Sequence, residues 1–154
     1  SLNAERILSE VICNIDADSP PWVDADEMRP FLESLHPAQA AAYSAWMAHS
    51  FVVVGGLFHI FEVCSKPMVE AAIRGYAELG EPKASAMLKE ACLIFPDGEM
   101  PEDHGEAYEY LGDDGNWSAL SPEVSSGQMN QSRSYEDFFD FDTFLSKHRD
   151  AFVR

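Results

Sequence analysis

The chain has 154 residues, of which 46% are hydrophobic and 24% are charged, and its formal net charge at pH 7 is −17. This length and apolar content suffice for a soluble globular domain with its own core, and they argue against an intrinsically disordered chain. The surplus of carboxylates argues against direct binding to nucleic acid or to an anionic membrane, and it favours a basic protein partner.

The N-terminal part of the sequence predicts two helices. Apolar residues recur near a period of 3.6 over residues 4–14, which is typical of an amphipathic helix. The pair Pro20-Pro21 breaks that pattern. Asp24 followed by Glu27 is typical of a helix N-terminus and predicts a second, short helix. Pro30 is expected to shift the start of this helix further along the chain.

A third helix is predicted to begin at His36-Pro37, because proline is tolerated in the first turn of a helix. The alanine-rich residues 38–51 have high helix propensity. Gly55 and Gly56 are expected to end this helix in a sharp structural turn, because glycine reaches positive φ without strain. The aromatic residues 57–61 that follow are compatible with either a helix or an extended segment.

The clearest predicted element is a helical hairpin. Pro67 and Pro82 each mark the start of a helix, and Gly80 between them is placed as a left-handed C-terminal cap. A link this short makes the two helices antiparallel. We therefore predict an all-α fold: a single compact multi-helix domain over residues 1–154 that is built around this hairpin, in which residues 1–36 form the N-terminal helices.

The C-terminal third predicts two further helices. A short helix over residues 102–111 is expected to stop at the Gly- and Asp-rich residues 112–115. The Ser-, Gly-, Gln- and Asn-rich residues 118–133 predict a loop or a small hairpin. A cap at Ser134 then predicts one long final helix over residues 135–152.

The acidic residues are concentrated in two segments. Residues 10–33 hold seven acids and one base, and residues 97–142 hold thirteen acids and one base, whereas the rest of the chain is almost neutral. Trp22 and Trp117 lie in predicted loops between these acids, where they either anchor an interface or fold back onto the core. A surface that is acidic only for solubility or for adaptation to salt would spread its charge, so the clustering argues against both. Composition alone nevertheless leaves solubility and binding of a basic partner equally open.

The residues Gly55-Gly56-Leu57-Phe58-His59-Ile60-Phe61 resemble the Asn-Gly-Gly-Phe-x-Gln-aromatic-Phe signature of the bacterial DNA-mimic protein family. The order of helices that follows, with Phe95-Pro96 ending the hairpin, is also similar, and the likeness covers residues 37–152. Val54 and His59 depart from the asparagine and glutamine of the signature. The resemblance implies an all-helical domain, a homodimer, and imitation of DNA towards a DNA-binding protein such as a transcription regulator.

Imitation of DNA requires carboxylates at separations like those of phosphates. Residues one helical turn apart are about 5–6 Å apart, which is close to the phosphate spacing along one strand. One predicted row comprises Glu102, Glu106, Glu109 and Asp113, and a second comprises Glu136, Asp137 and Asp140. The full set of predicted partner-binding carboxylates is Glu99, Glu102, Asp103, Glu106, Glu109, Asp113, Asp114, Glu136, Asp137 and Asp140.

Two other functions are compatible with the sequence. An immunity-type inhibitor of a basic toxin would carry the same charge pattern. A small enzyme would use the region around His59 and Cys64, but the histidines and the three cysteines lack the paired spacing of a metal site. We therefore expect no catalytic activity, metal or cofactor. Free thiols and the lack of a visible secretion signal predict a cytoplasmic location.

Overall fold

A computed structural model describes residues 2–127, 129 and 135–152, and every secondary-structure element in these ranges is helical, which confirms the predicted all-α class. The α-helices are α1 (Leu2–Ala17), α2 (Ala25–Ser34), α3 (Pro37–Gly55), α4 (Leu57–Val63), α5 (Lys66–Glu78), α6 (Pro82–Ala91), α7 (His104–Leu111), α8 (Asp114–Ser118), α9 (Pro122–Ser125), α10 (Tyr135–Phe138), α11 (Phe141–Lys147) and α12 (Arg149–Phe152). Two 3-10 turns, Cys92–Ile94 and Pro96–Gly98, join α6 to the segment before α7.

The N-terminal caps follow the sequence closely. The Asp24 side chain accepts a hydrogen bond from the backbone N–H of Glu27 at the start of α2, as predicted. The imidazole of His36 accepts one from the N–H of Ala38 at the start of α3. The expected effect of Pro30 is wrong, because α2 begins at Ala25 and contains Pro30. This proline is exposed, so the backbone carbonyl that it leaves unbonded lies on the solvent side of a short helix.

The centre of the fold is the contact between α3 and α5, a pairing that the sequence did not predict. α3 buries its alanines along most of its length. A Cβ atom built on Gly75 of α5 would lie only 2.1 Å from the carbonyl oxygen of Ala41 and 2.7 Å from the Cβ of Ala45. Small residues on both helices therefore allow their backbones to approach closely.

The predicted hairpin is formed by α5 and α6. Gly80 has φ +86°, as expected for its role at the C-terminus of α5, and the hydroxyl of Ser85 donates to the carbonyl of Ile73 across the hairpin. The end of α5 also holds the C-terminal part of the chain, since the N–H of Asp140 donates to the carbonyl of Leu79 at 2.8 Å.

The glycine pair separates α3 from α4. α3 ends at Gly55, and Gly56 has φ +82°, which confirms the predicted turn. Residues 57–61, left open between helix and strand, are helical in α4. Within the described ranges, no single helix is long and apolar enough to cross a membrane. Together α3 and α4 reach that length and composition, but they are bent by 118°.

The C-terminal prediction of one long helix is wrong. α10, α11 and α12 are three short helices, and Asp140 interrupts them by accepting from the N–H of Thr143 at the start of α11. The adjacent Phe138 and Phe139 are both buried where α10 ends. The predicted cap Ser134 lies outside the described residues. The predicted loop over residues 118–133 contains α9.

Candidate functional site

The acidic segment, which we define as residues 99–114, runs from the last 3-10 turn through α7 to the start of α8. It holds seven carboxylates and no lysine or arginine. All seven are exposed: Glu99, Glu102, Asp103, Glu106, Glu109, Asp113 and Asp114. This segment therefore presents a dense patch of negative charge to solvent.

The predicted row of four carboxylates on one helix is not formed. α7 begins at His104 and ends at Leu111, so Glu102 precedes the helix and Asp113 follows it. The cause is local, because aspartates occupy the N-cap positions of both α7 and α8. Only Glu106 and Glu109 remain on α7, one helical turn apart.

Two carboxylates of the acidic segment form ion pairs. Arg29 of α2 donates to Glu102, and the Nζ of Lys66 lies 3.1 Å from an oxygen of Glu99. Within the part of the chain that the structure describes, Glu106, Glu109 and Asp114 form no ion pair. With respect to the described residues, the carboxylates without an ion pair therefore include those on α7 and at the start of α8.

Two further carboxylates are held by backbone N–H groups. Asp103 accepts from the N–H of Gly105 at 2.8 Å and caps α7, and Asp113 accepts from the N–H of Gly115 at 2.9 Å and caps α8. These bonds fix the positions of both carboxylates relative to the helices. The two aspartates therefore have a structural role as well as a charge.

Replacing Asp103 by alanine is expected to lower the free energy of unfolding by about 1 kcal/mol, because α7 loses its N-cap. Asp103→Asn keeps an oxygen that accepts from the backbone and is expected to stay within about 0.5 kcal/mol of the native protein. Urea denaturation at pH 7 measures both values. Equal destabilisation by alanine and asparagine would show that the charge, not the cap, supports α7.

The two acidic parts of the sequence meet in a cleft between α2 and α7. Asp24 and Asp26 from the first part and Glu102 and Asp103 from the second part line this cleft, whose volume is about 540 Å³. The ion pair between Arg29 and Glu102 joins α2 to the residues that precede α7. Acids that are some 80 positions apart in sequence therefore line the same cleft.

The second predicted row, on the C-terminal helices, is not formed as predicted. Asp140 lies beyond the end of α10 and caps α11, so it does not share a helix with Glu136 and Asp137. The side chains of Glu136 and Asp137 lie outside the described part of the structure. The row over these three residues therefore has no support from the described backbone.

An aromatic groove, which the sequence did not predict, adjoins the acidic segment between α4, α7 and α8. Phe58, Tyr108 and Trp117 line it together with Glu62 and Asp114, and its volume is about 610 Å³. Trp117 lies in α8 and not in a loop, and it is folded onto the core with its ring centroid 4.0 Å from that of Phe58. Tyr108 is 54% exposed.

The alternative site around His59 and Cys64 has little catalytic character. Cys64 is completely buried, and burial raises the pKa of its thiol far above the usual range, which disfavours the reactive thiolate. The Nδ1 atom of His59 lies 3.8 Å from a carboxylate oxygen of Glu62. Among the described residues, no three His, Cys, Asp or Glu side chains are grouped so that they could hold a metal ion.

His49 is a polar residue whose burial the sequence did not predict. It lies on α3 against Phe138, with ring centroids 4.1 Å apart, and its Nδ1 atom is 3.4 Å from the hydroxyl of Tyr76. Burial lowers the pKa of His49 to about 4. The available signal was its register, since His49 lies four residues after Ala45 and three before Val52 on the same helix, and both are buried. We assign it to the core and not to the partner-binding surface.

Comparison with known proteins identifies a family. The sequence profile of the DMP19-like proteins, named after DNA mimic protein 19, matches residues 33–150. No curated protein and no solved structure matches the chain. Because the profile covers well over half of the sequence, the chain belongs to the DMP19-like family.

Proposed function

We propose that this member of the DMP19-like family uses its acidic segment to occupy the basic DNA-binding face of a transcription regulator. The observation that carries the proposal is the exposure of seven carboxylates within sixteen residues that contain no lysine or arginine. DNA-binding proteins contact phosphates through lysine and arginine, so a fixed array of carboxylates competes for the same side chains. Membership of a DNA-mimic family supports this partner class.

The acidic segment contains carboxylates that are held by hydrogen bonds to the backbone and carboxylates without an ion pair among the described residues. The capping bonds of Asp103 and Asp113 hold these carboxylates in place before binding, which limits the entropy lost on association. Glu106, Glu109 and Asp114 have no competing ion pair within the described ranges and are available to a partner. In contrast to the predicted straight row, the charges follow α7, its cap and the start of α8.

A competition experiment tests the proposal. The immobilised chain is incubated with lysate of the source cell at low salt, and retained proteins are identified before and after addition of duplex DNA. We expect a DNA-binding protein that duplex DNA displaces and that rising salt releases. A retained basic protein that DNA does not displace would favour the toxin-inhibitor alternative. Retention of no basic protein at low salt would contradict both.

Glu109→Lys is expected to weaken binding of the regulator identified by DNA displacement at least tenfold at low salt, because a lysine at this position repels the basic face of the regulator. Asp150→Lys changes the net charge equally but lies on α12, which contacts α1, α3 and α11. We expect this control to bind within about twofold of the native chain. Isothermal titration calorimetry gives both affinities. Equal losses would show that net charge, and not the acidic segment, drives association.

The homodimer implied by the family resemblance and the cytoplasmic location remain predictions. Sedimentation equilibrium across a range of protein concentrations tests the first. A sedimenting mass of one chain at every concentration would contradict it.

A further inference from the structure

We propose that the aromatic groove between α4, α7 and α8 is a receptor for one arginine side chain of the basic partner. This inference rests on the proposed function and adds to it a specific subsite. It names the chemical group, a guanidinium, that the groove selects.

The groove provides aromatic surfaces that are already in position. Trp117 is fixed by packing against Phe58 and by a hydrogen bond from its indole N–H to the carbonyl of Leu111 at 3.2 Å. Tyr108, in the middle of α7, is the most exposed of the aromatic residues in the groove. Trp117 is only 8% exposed, so Tyr108 offers the accessible ring on which a planar guanidinium stacks and gains a cation–π attraction.

Carboxylates flank these rings. Asp114 is exposed and forms no ion pair among the described residues, and Glu62 is 44% exposed with His59 as its neighbour. Both line the groove. An arginine that stacks on the aromatic rings therefore meets negative charge at its head group, and the fork of donors on a guanidinium matches a carboxylate.

The charge and size of the groove select this occupant. Its volume of about 610 Å³ admits a complete long side chain. An apolar side chain would gain nothing from the negative charges of Asp114 and Glu62. A lysine ammonium is a compact, strongly hydrated charge that gains less from stacking than a guanidinium does. Arginine is also one of the two cationic side chains that neutralise DNA phosphates, so the subsite fits a partner that normally binds DNA.

The probe for the test is Nα-acetyl-arginine amide, titrated into the full chain while the Trp117 indole N–H signal is followed by NMR. Nα-acetyl-citrulline amide, which has nearly the same shape but no charge, is the ligand control. We expect saturable shifts with the arginine compound and at least fivefold weaker binding of the citrulline compound. Equal binding of both, or no shift of the Trp117 signal, would overturn the inference.

Matched variants locate the site. Asp114→Asn and Tyr108→Ala are expected to weaken binding of the arginine compound at least threefold. Asp150→Asn removes the same charge from the first turn of another short helix and is expected to leave binding unchanged. Equal effects of Asp114→Asn and Asp150→Asn would contradict the proposed location.

The two proposals can fail separately. If the arginine compound binds in the groove but no DNA-displaceable protein is retained, the regulator proposal fails and the subsite remains. If a regulator is retained and displaced by DNA, yet Tyr108→Ala and Asp114→Asn bind it as tightly as Asp150→Asn does, the arginine subsite is wrong and the regulator proposal stands.

Discussion

One added methyl group at Gly75 is expected to lower the free energy of unfolding by about 3 kcal/mol or more. The Cβ of an alanine at this position would lie 2.1 Å from the carbonyl oxygen of Ala41 on α3. That oxygen belongs to the backbone, so no side-chain rotation relieves the overlap. α3 and α5 would have to move apart along the most extensive helix contact of the fold.

Thermal and urea denaturation of Gly75→Ala measure this effect. For a chain of this size, a loss of about 3 kcal/mol corresponds to a fall in Tm of roughly 6–12 °C. Gly112→Ala is the matched control, because a Cβ at Gly112 meets nothing within 4 Å and its φ of −80° suits any residue. We expect Gly112→Ala to be neutral or slightly stabilising. A Gly75→Ala protein as stable as this control would contradict the close approach of α3 and α5.

Local chemistry in the sequence predicted most of the helix boundaries. Asp24, His36-Pro37 and Gly80 each act through bonds or dihedral angles within a few residues, and the structure confirms all three. The α3–α5 contact was not predicted, because it joins residues that are distant in sequence. Gly75 inside an otherwise regular helix was the available signal, since glycine there is unfavourable unless a neighbour needs the space.

The acidic segment was predicted in composition but not in geometry. The predicted row assumed that a helix runs through Glu102. Asp103 followed three residues later by Glu106 is the stronger local pattern, because it is typical of a helix N-terminus, and α7 begins directly after Asp103. Asp113 likewise acts as an N-cap, so a new helix, α8, begins shortly after α7 ends. Helix propensity and charge spacing alone could not reveal these boundaries. The aromatic groove required long-range packing, because Phe58 and Trp117 come from separate helices.

Lowering the pH from 7 to 4 is expected to destabilise the native chain by about 3 kcal/mol through His49 alone. Burial holds the pKa of His49 at about 4 in the folded state, whereas the unfolded chain has the ordinary value near 6.5. Between these values the unfolded state binds a proton that the native state does not bind. Stability therefore falls as the pH decreases from about 6.5 towards 4.

The surroundings of His49 explain why the native state does not accept this proton. Its ring lies among Tyr76, Tyr135, Phe138 and Phe139, and burial also raises the pKa of both tyrosines, so they stay neutral in this range. The Nε2 atom is buried and has no hydrogen-bond partner among the described residues. An imidazolium at this position would lose its hydration without gaining a carboxylate.

Comparison with His49→Phe isolates the contribution of His49, because both proteins carry the same carboxylates. The free energies of unfolding of both proteins are measured in urea at pH 7, 6, 5 and 4. Between pH 7 and pH 4, the native chain is expected to lose about 3 kcal/mol more stability than the variant loses. Tyr76→Phe keeps His49 buried and should retain the pH dependence of the native chain. In NMR, the ring protons of His49 should not titrate above pH 5. Titration near pH 6.5, or a constant difference between the two proteins, would show that His49 is hydrated in the native state.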